Sequence, residues 1–526
     1  MRQRVVNAAF AGRALGAAAS SVTVLTVAVF AWLAAAAGLR PLSLPDEGRY
    51  VGVALEMLWS GNWLEPTLNT LPYFHKPPLF YWLTAASLAT LGVNTWAARL
   101  ASLLAATGCA LGLYRFLQCW VGPAHARLAL IVLVTTPLFY GGAQFANLDM
   151  LVAACISGSI LCGAHAVLAA ADDARLSRLA LMGAYAFAAL GLLAKGLIGI
   201  VIPAMVIGIW LLVLGRAWTI LRFLWPPGMV LFALIGLPWF LLMHQRHPGF
   251  FDYFFVHHHF ERFAAQGFNN PRPFWFLVAV FAGVTLPWSV FLVGSARARV
   301  DPQGAPRQVR ALMWIWLLAT LVFFSIPRSK LVGYVMVALA PFAALVAEGL
   351  ISAAGTHARA RIWAMRVAVV AVAMGAAALI VVNSQQRARD NTQQLAALLS
   401  PLFTSPADPL VVLYNYPFSL PFYLKRAPPL LIVEAWQDSR VVEKDTWRRE
   451  LYEAAAFDPG RGKAMLLQPG ALHAFLSCAA RPVWLIVASA SADRLPQIPG
   501  LERVAEVGRD SVWRKMPAET RSDCTP

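Results

Sequence analysis

Two adjacent carboxylates, Asp46 and Glu47, follow the first long apolar run of the chain. Acids beside a membrane can serve as a general base or hold a divalent cation. The competing interpretation is that Asp46 caps the helix predicted to begin near Gly48. A third acid, Asp149, stands between two later apolar runs and is open to the same choice between chemistry and helix capping.

Cationic and imidazole side chains occupy similar positions between apolar runs. Lys76 precedes two prolines, and its ammonium either snorkels to the interface or binds an anionic head group as a point charge. Lys330, with Arg328 beside it, has the same two interpretations. Three consecutive histidines end at His259, and one or two of them, with His75, could hold Zn²⁺, Mg²⁺ or Mn²⁺.

The composition of the chain indicates a membrane protein. Of its 526 residues 59% are hydrophobic and 13% charged, whereas soluble domains carry roughly 25% charged residues. We predict a mainly α fold, a polytopic membrane helix bundle of about 11–13 spans over residues 1–382. A small soluble α/β domain is predicted to follow over residues 383–526.

The distribution of arginine predicts the topology. About eleven apolar runs are assigned as spans, at residues 20–39, 96–117, 127–144, 150–170, 179–194, 196–214, 228–243, 273–294, 311–326, 331–350 and 363–382. Every second connection is rich in arginine and should be cytoplasmic. The candidate chemical residues and the tail after residue 383 then face outward. The short run at 78–92 is predicted to lie on the outer membrane surface.

The same distribution of arginine explains the net charge of +17, so we expect no nucleic-acid partner.

In the tail, Cys478 and Cys524 could pair in an oxidising compartment. Short β-like runs there alternate with helical stretches such as Lys444–Ala456. The runs are Leu410–Tyr414, Leu430–Val433, Ala464–Leu467 and Val483–Ala488.

Several ordered motifs carry a resemblance to a known family. They are Pro45-Asp46-Glu47-x-Arg49-Tyr50, Tyr73-Phe74-His75-Lys76-Pro77-Pro78-Leu79-x-Tyr81-Trp82, Ala98-Arg99-Leu100, Leu148-Asp149, Ala194-Lys195-Gly196, His259-x-x-Arg262-Phe263, Leu286-Pro287-Trp288-Ser289 and Ser329-Lys330-Leu331-x-Gly333-Tyr334. The sequence resembles polytopic glycosyltransferases that use polyprenyl-phosphate sugars. It is similar to the bacterial lipid A aminoarabinose transferases and the protein O-mannosyltransferases.

The resemblance implies a GT-C fold with an outward-facing active site in the bacterial inner membrane. Asp46 would be the catalytic base and Asp149 a second carboxylate. Donor-phosphate ligands would be Lys76, Arg262 and Lys330. The substrate cavity would be lined by Glu47, Arg49, Tyr50, Tyr81 and Tyr334. The implied partners are a polyprenyl-phosphate-linked sugar donor, a lipid or glycolipid acceptor such as lipid A, and membrane lipids.

Two departures from the aminoarabinose transferases leave the sugar and the metal open. His75 stands where those enzymes typically have Glu, and Gly333 stands where Pro-Thr is common. A non-catalytic transporter or flippase of lipid-linked sugars is the alternative function. Transporters tend to show inverted repeats and charges at the bilayer midplane, whereas here the polar residues cluster at one interface. A cell-envelope scaffold would leave the converging acids and cations unexplained.

Overall fold

The computed structural model describes residues 22–170, 177–261, 271–297, 304–403, 405, 407–426 and 429–517, without the side chains of 257–261 and 386–389. Of the described residues 69% are helical, which confirms the predicted mainly α class. In the described part of the chain, six helices are long and apolar enough to cross a membrane singly. They are Thr95–Trp120, Leu148–Leu168, Arg178–Lys195, Ala305–Ser325, Val332–Ala354 and His357–Gln385.

Three further apolar segments are bent helix pairs, which raise the number of described candidate spans to nine if each pair crosses once. They are Pro123–Thr135 with Pro137–Ala143, Pro226–Gly236 with Pro238–Arg246, and Phe276–Val284 with Trp288–Arg297. A proline begins the second helix of the first two pairs, where its missing N–H is tolerated. Val22–Ala34 and Ile198–Val213 are shorter. Each predicted span therefore coincides with an apolar helix or a bent pair.

Short elements connect these helices. Leu79–Leu91, predicted not to span, is a helix of 13 residues that packs against Asp46–Ser60 and Thr95–Trp120. A hairpin of β1 (Thr67–Leu68) and β2 (Leu71–Pro72) precedes it. Other connecting elements are the helices Ala217–Arg222 and Thr392–Leu399 and the π-helix Asp252–Glu261. The 3-10 segments Trp288–Phe291 and Val332–Ala338 are the first turns of the apolar segments Trp288–Arg297 and Val332–Ala354.

The tail contains the predicted α/β structure. The last long helix continues to Arg389, beyond the boundary predicted at residue 383. Its strands are β3 Leu410–Leu413, β4 Leu431–Val433, β5 Leu466–Leu467, β6 Val483–Ala488, β7 Leu501–Val507 and β8 Asp510–Lys515. They form one sheet with the order β5-β4-β3-β6-β8-β7, in which β5, β4, β3 and β6 are parallel to each other and β8 is antiparallel to both of its neighbours, β6 and β7. Between them lie helices Leu420–Leu424, Arg440–Glu443, Trp447–Phe457, Pro459–Met465 and Pro469–Ser477, and the 3-10 turn Ser489–Arg494.

A continuous apolar core joins the tail to the membrane part, since buried residues such as Leu410, Phe418 and Leu420 cluster with those of the bundle. The segment after Phe418 lies against the helix Asp46–Ser60. A Cβ at Gly48 would approach Phe418 Cβ and the Ser419 nitrogen, each at 3.1 Å. Glycine at this position therefore permits the close approach that places the tail over the helix that begins with Asp46.

Candidate active site

Asp46 and Glu47 have opposite environments although they are neighbours. Asp46 is the first residue of its helix, and the N-cap position belongs to Pro45, which makes no capping side-chain bond. The side chain of Asp46 is 44% exposed, and its Oδ1 accepts a hydrogen bond from Arg49 Nη2 at 2.5 Å. A partly exposed carboxylate at the end of a helix remains accessible to a substrate.

Glu47 is the centre of a buried cluster and does not line a cavity. Its side chain is 0% exposed and forms ion pairs with Arg99 and Arg40. Arg99 Nε and Nη2 donate at 2.8 and 2.9 Å, and the backbone nitrogens of Ser43 and Ala146 donate at 2.8 Å each. Burial raises the pKa of Glu47, but the two guanidiniums outweigh it and lower that pKa to about 2. The cavity role predicted for Glu47 is corrected here, because every direction around the carboxylate is filled by protein.

Arg49 connects Asp46 to the tail. Its Nη2 donates to Asp46, and its Nη1 donates to Glu450, a buried residue of the tail helix Trp447–Phe457. Its guanidinium also lies 5.0 Å from the ring centroid of Tyr50. Glu450 has no signal in the sequence that would mark it, because its partner is 401 positions away.

Tyr50 and Tyr81 lie beside this arginine, with ring centroids 6.4 Å apart. Both side chains are buried, and burial raises the pKa of each phenol. Among the described residues the hydroxyl of Tyr81 has no hydrogen-bond partner. The ring of Tyr50 therefore packs against the guanidinium of Arg49, and the ring of Tyr81 packs against that of Tyr50.

Asp149 forms an ion pair with Lys195, at the point where two candidate spans meet. Its helix is capped by Asn147, whose Oδ1 accepts from the Asp149 nitrogen at 3.1 Å, so Asp149 itself is not the N-cap. Lys195 Nζ lies 5.1 Å from the ring centroid of Tyr334. We did not predict Lys195 as a site residue, although it stands in the motif Ala194-Lys195-Gly196.

Gly333 allows this group to assemble. A Cβ at Gly333 would lie 2.0 Å from Asp149 Oδ2, far inside any normal contact. Glycine is therefore needed for the backbone before Tyr334 to pass the carboxylate.

Lys76 and His75 lie in the loop between β2 and the helix Leu79–Leu91. Lys76 is half-buried. The ring of His75 stacks on Tyr73 at 4.6 Å between centroids, and its Nε2 lies 3.6 Å from Glu453 Oε2 in the tail. Tyr253 donates to the same Glu453 oxygen at 2.9 Å. The loop thus contacts the tail domain through His75 and Glu453.

The other predicted phosphate and metal ligands are placed differently. Lys330 is 3% exposed, and its Nζ donates to the main-chain oxygens of Arg272 and Pro327 at 3.0 and 2.5 Å. Its ammonium thus holds two loops together, and the donor-phosphate role of Lys330 stays a prediction. Arg262 lies outside the described residues, as does the side chain of His259.

The described residues offer few candidate ligands for a metal ion. Within the described residues no group of three or more His, Cys, Asp or Glu side chains is arranged to hold an ion. His75 has Glu453 beside it, whereas zinc sites use three or four protein ligands.

The fold and the site define a class of protein. A polytopic apolar helix bundle carries acids and cations at one end, beneath an α/β domain that contributes Glu450 and Glu453. The predicted resemblance to membrane glycosyltransferases of the GT-C fold that use polyprenyl-phosphate sugars is confirmed as a resemblance.

Comparison with known proteins specifies the similarity. Residues 75–241 match the dolichyl-phosphate-mannose-protein mannosyltransferase family. The chain is similar to the undecaprenyl phosphate-alpha-4-amino-4-deoxy-L-arabinose arabinosyl transferases of Shewanella sediminis, at 31% identity over 316 residues, and Pseudomonas aeruginosa, at 33% over 320. Each alignment covers 60% of this chain and 57% of the relative, so the chain spans somewhat more than half the length of these curated relatives.

The similarity to a solved structure extends further along the chain. The crystal structure of ArnT from Cupriavidus metallidurans bound to undecaprenyl phosphate superposes with a TM-score of 0.77 at 25% sequence identity. The superposition covers 95% of this chain and 98% of that one. The tail domain is therefore part of the shared fold, and the chain is a multi-pass membrane protein.

Proposed function

We propose that the protein is a glycosyltransferase that moves a sugar from a polyprenyl-phosphate donor to lipid A or a similar envelope glycolipid. The observation that carries the proposal is the superposition, over almost the whole of both chains, on ArnT bound to undecaprenyl phosphate. The names of the curated relatives favour a pentose, 4-amino-4-deoxy-L-arabinose, as the sugar. They also favour an enzyme over a transporter of lipid-linked sugars.

The reaction we propose is a single inverting displacement. An oxygen of the acceptor attacks the anomeric carbon while the bond from that carbon to the polyprenyl phosphate breaks. Asp46 accepts the proton that the acceptor oxygen loses, since it is the accessible carboxylate of the adjacent pair. Lys76, with Arg262, stabilises the charge on the departing phosphate. Asp149, oriented by Lys195, positions the acceptor.

The proposed location is the bacterial inner membrane, with the active site and tail in the periplasm. The arginine-rich connections support this orientation. A disulfide at Cys478 supports an oxidising compartment for the tail, although its predicted partner Cys524 lies outside the described residues. Reporter fusions after Arg307 and after Gln394 should give opposite signals, and equal signals would contradict the topology.

Transfer by purified protein tests the function itself. The assay supplies a radiolabelled undecaprenyl-phosphate aminoarabinose and lipid A, and measures label in the lipid A fraction. The proposal predicts transfer by the wild-type protein and by Glu443→Gln, which alters an exposed acid of the tail. Label that only crosses the bilayer of a proteoliposome, without changing carrier, would support the transporter instead.

A further inference from the structure

Glu56 is a fully enclosed carboxylate that the proposed mechanism does not use. It lies in the third turn of the helix that begins with Asp46, and it is 6% exposed. An ionisable group is rarely buried unless its hydrogen-bonding capacity is satisfied. The partners of Glu56 therefore indicate what it holds in place.

All three described donors to Glu56 come from the β1–β2 hairpin. Its Oε1 accepts from the Asn69 nitrogen at 2.6 Å, and its Oε2 accepts from Thr70 nitrogen at 2.9 Å and Thr67 Oγ1 at 2.8 Å. The carboxylate thus binds the two central residues of the turn and the strand that enters it.

The turn needs this support because of its backbone conformation. Asn69 and Thr70 both have positive φ, 54° and 64°, as a two-residue type I′ turn requires. Glycine and asparagine adopt this region readily, whereas for a β-branched residue such as threonine it is an outlier. Hydrogen bonds that both turn nitrogens donate to Glu56 offset that strain.

The same turn is attached to the tail domain. Asn69 Nδ2 donates to the Leu430 oxygen at 2.9 Å, and its Oδ1 accepts from the Leu430 nitrogen at 2.8 Å. Arg461, also in the tail, donates to the Thr70 oxygen at 3.2 Å. The hairpin is therefore held from one side by Glu56 and from the other by the tail.

The hairpin leads directly into the loop that carries Lys76. The Tyr73 nitrogen donates to the Pro66 oxygen at 2.8 Å, which extends the pairing to within three residues of Lys76. Asp46 and Glu56 belong to one helix, so a fixed hairpin fixes Lys76 relative to Asp46.

We propose that Glu56 is a positioning residue that braces the β1–β2 hairpin and thereby places Lys76 for the phosphate of the lipid-linked donor. This inference rests on the proposed function for the identity of the ligand. It assigns to Glu56 an effect on donor binding and no contact with the reacting atoms.

The variants Glu56→Ala and Glu56→Gln test the brace, with Glu443→Gln as the control. Glu56→Ala leaves two turn nitrogens without an acceptor and should raise the KM for the donor about tenfold or more, with kcat changed by less than about threefold. Glu56→Gln keeps one acceptor oxygen and should fall between Ala and wild type. A residue with only a structural role would reduce yield and thermal stability while leaving KM unchanged, and that result would overturn the proposal.

Two readouts separate this inference from the proposed function. Hydrogen exchange should rise in peptides covering residues 67–76 of Glu56→Ala and remain unchanged elsewhere. Affinity for undecaprenyl phosphate alone should fall in the same variant. Unchanged exchange in the hairpin or unchanged affinity would overturn the brace, whatever the activity. Absence of transfer by wild-type protein, with both effects present, would overturn the proposed sugar transfer and leave the brace standing.

Discussion

Asp46→Asn and Glu47→Gln should produce opposite failures. Each substitution replaces one carboxylate oxygen by an amide NH2 group, and the two residues are neighbours in one helix, so the two variants are closely matched. Asp46→Asn should fold and lose transfer, because its partly exposed carboxylate is the proposed base. Glu47→Gln should lose stability, because its carboxylate neutralises two buried guanidiniums.

The magnitudes follow from the exposure of each group. The ion pair of Asp46 with Arg49 has a carboxylate that is 44% exposed, and such pairs contribute roughly 0.2–1 kcal/mol. Losing a general base typically costs about 10²–10⁴-fold in rate. Removing one member of a fully buried ion pair costs about 3–5 kcal/mol, a large part of the roughly 5–15 kcal/mol that stabilises a folded protein.

The measurements are sugar transfer in vitro, protein yield and thermal unfolding in detergent. Asp46→Asn should unfold close to the wild-type temperature and transfer at least about a hundredfold more slowly. Glu47→Gln should be poorly expressed or unfold at a distinctly lower temperature. Wild-type turnover in Asp46→Asn would remove Asp46 from the mechanism. Wild-type stability in Glu47→Gln would refute the argument from burial.

Four other outcomes are expected. Lys76→Ala should weaken donor binding by about 1.5–3 kcal/mol. Lys76→Arg should not restore it, because a planar guanidinium does not fit a site built for a point charge. Full activity of either variant at low donor concentration would contradict the contact between Lys76 and the donor phosphate. Gly333→Ala should reduce transfer by displacing Asp149, into which the new Cβ would project, and a wild-type rate would show that the backbone yields. Chelation of divalent ions and His259→Ala should both depress transfer if a metal holds the donor, and unaltered rates would remove it. Burial raises the pKa of the Glu56 carboxyl from 4.5 to about 7. Between about pH 4.5 and 7 the folded protein therefore holds this proton more tightly than the unfolded chain, and the contribution of Glu56 to stability should decline as the pH rises through that range. The difference in unfolding free energy between wild type and Glu56→Gln, measured across that range, should show the decline.

Hydropathy and charge carried most of the fold prediction. Long apolar runs and the alternation of arginine-rich connections locate the helices, because a bilayer imposes length and composition on each span. In the tail, β3, β4, β5 and β6 coincide with or lie within predicted β-like runs. The hairpin of β7 and β8 was missed, since β7 is largely exposed and carries charged residues that hide the strand pattern.

The site was predictable by residue type and not by partner. Asp46, Lys76 and Asp149 stand out as charges near apolar runs. Sequence position cannot distinguish Asp46 from Glu47, because the difference depends on Arg99, which is 52 positions away. Likewise, the main-chain partners of Lys330 become visible only once the loops are folded.

The contact between Arg49 and the tail gives the second domain a direct part in the chemistry of the first. Arg49 contacts both Asp46 and Glu450, so one guanidinium joins the proposed base to a buried acid of the tail. A guanidinium with two carboxylate partners is held in one orientation more firmly than one with a single partner, because each charge-assisted hydrogen bond restricts it. The tail domain therefore helps to fix the position of the group that contacts Asp46, and the helix bundle alone does not contain all the residues of the proposed site.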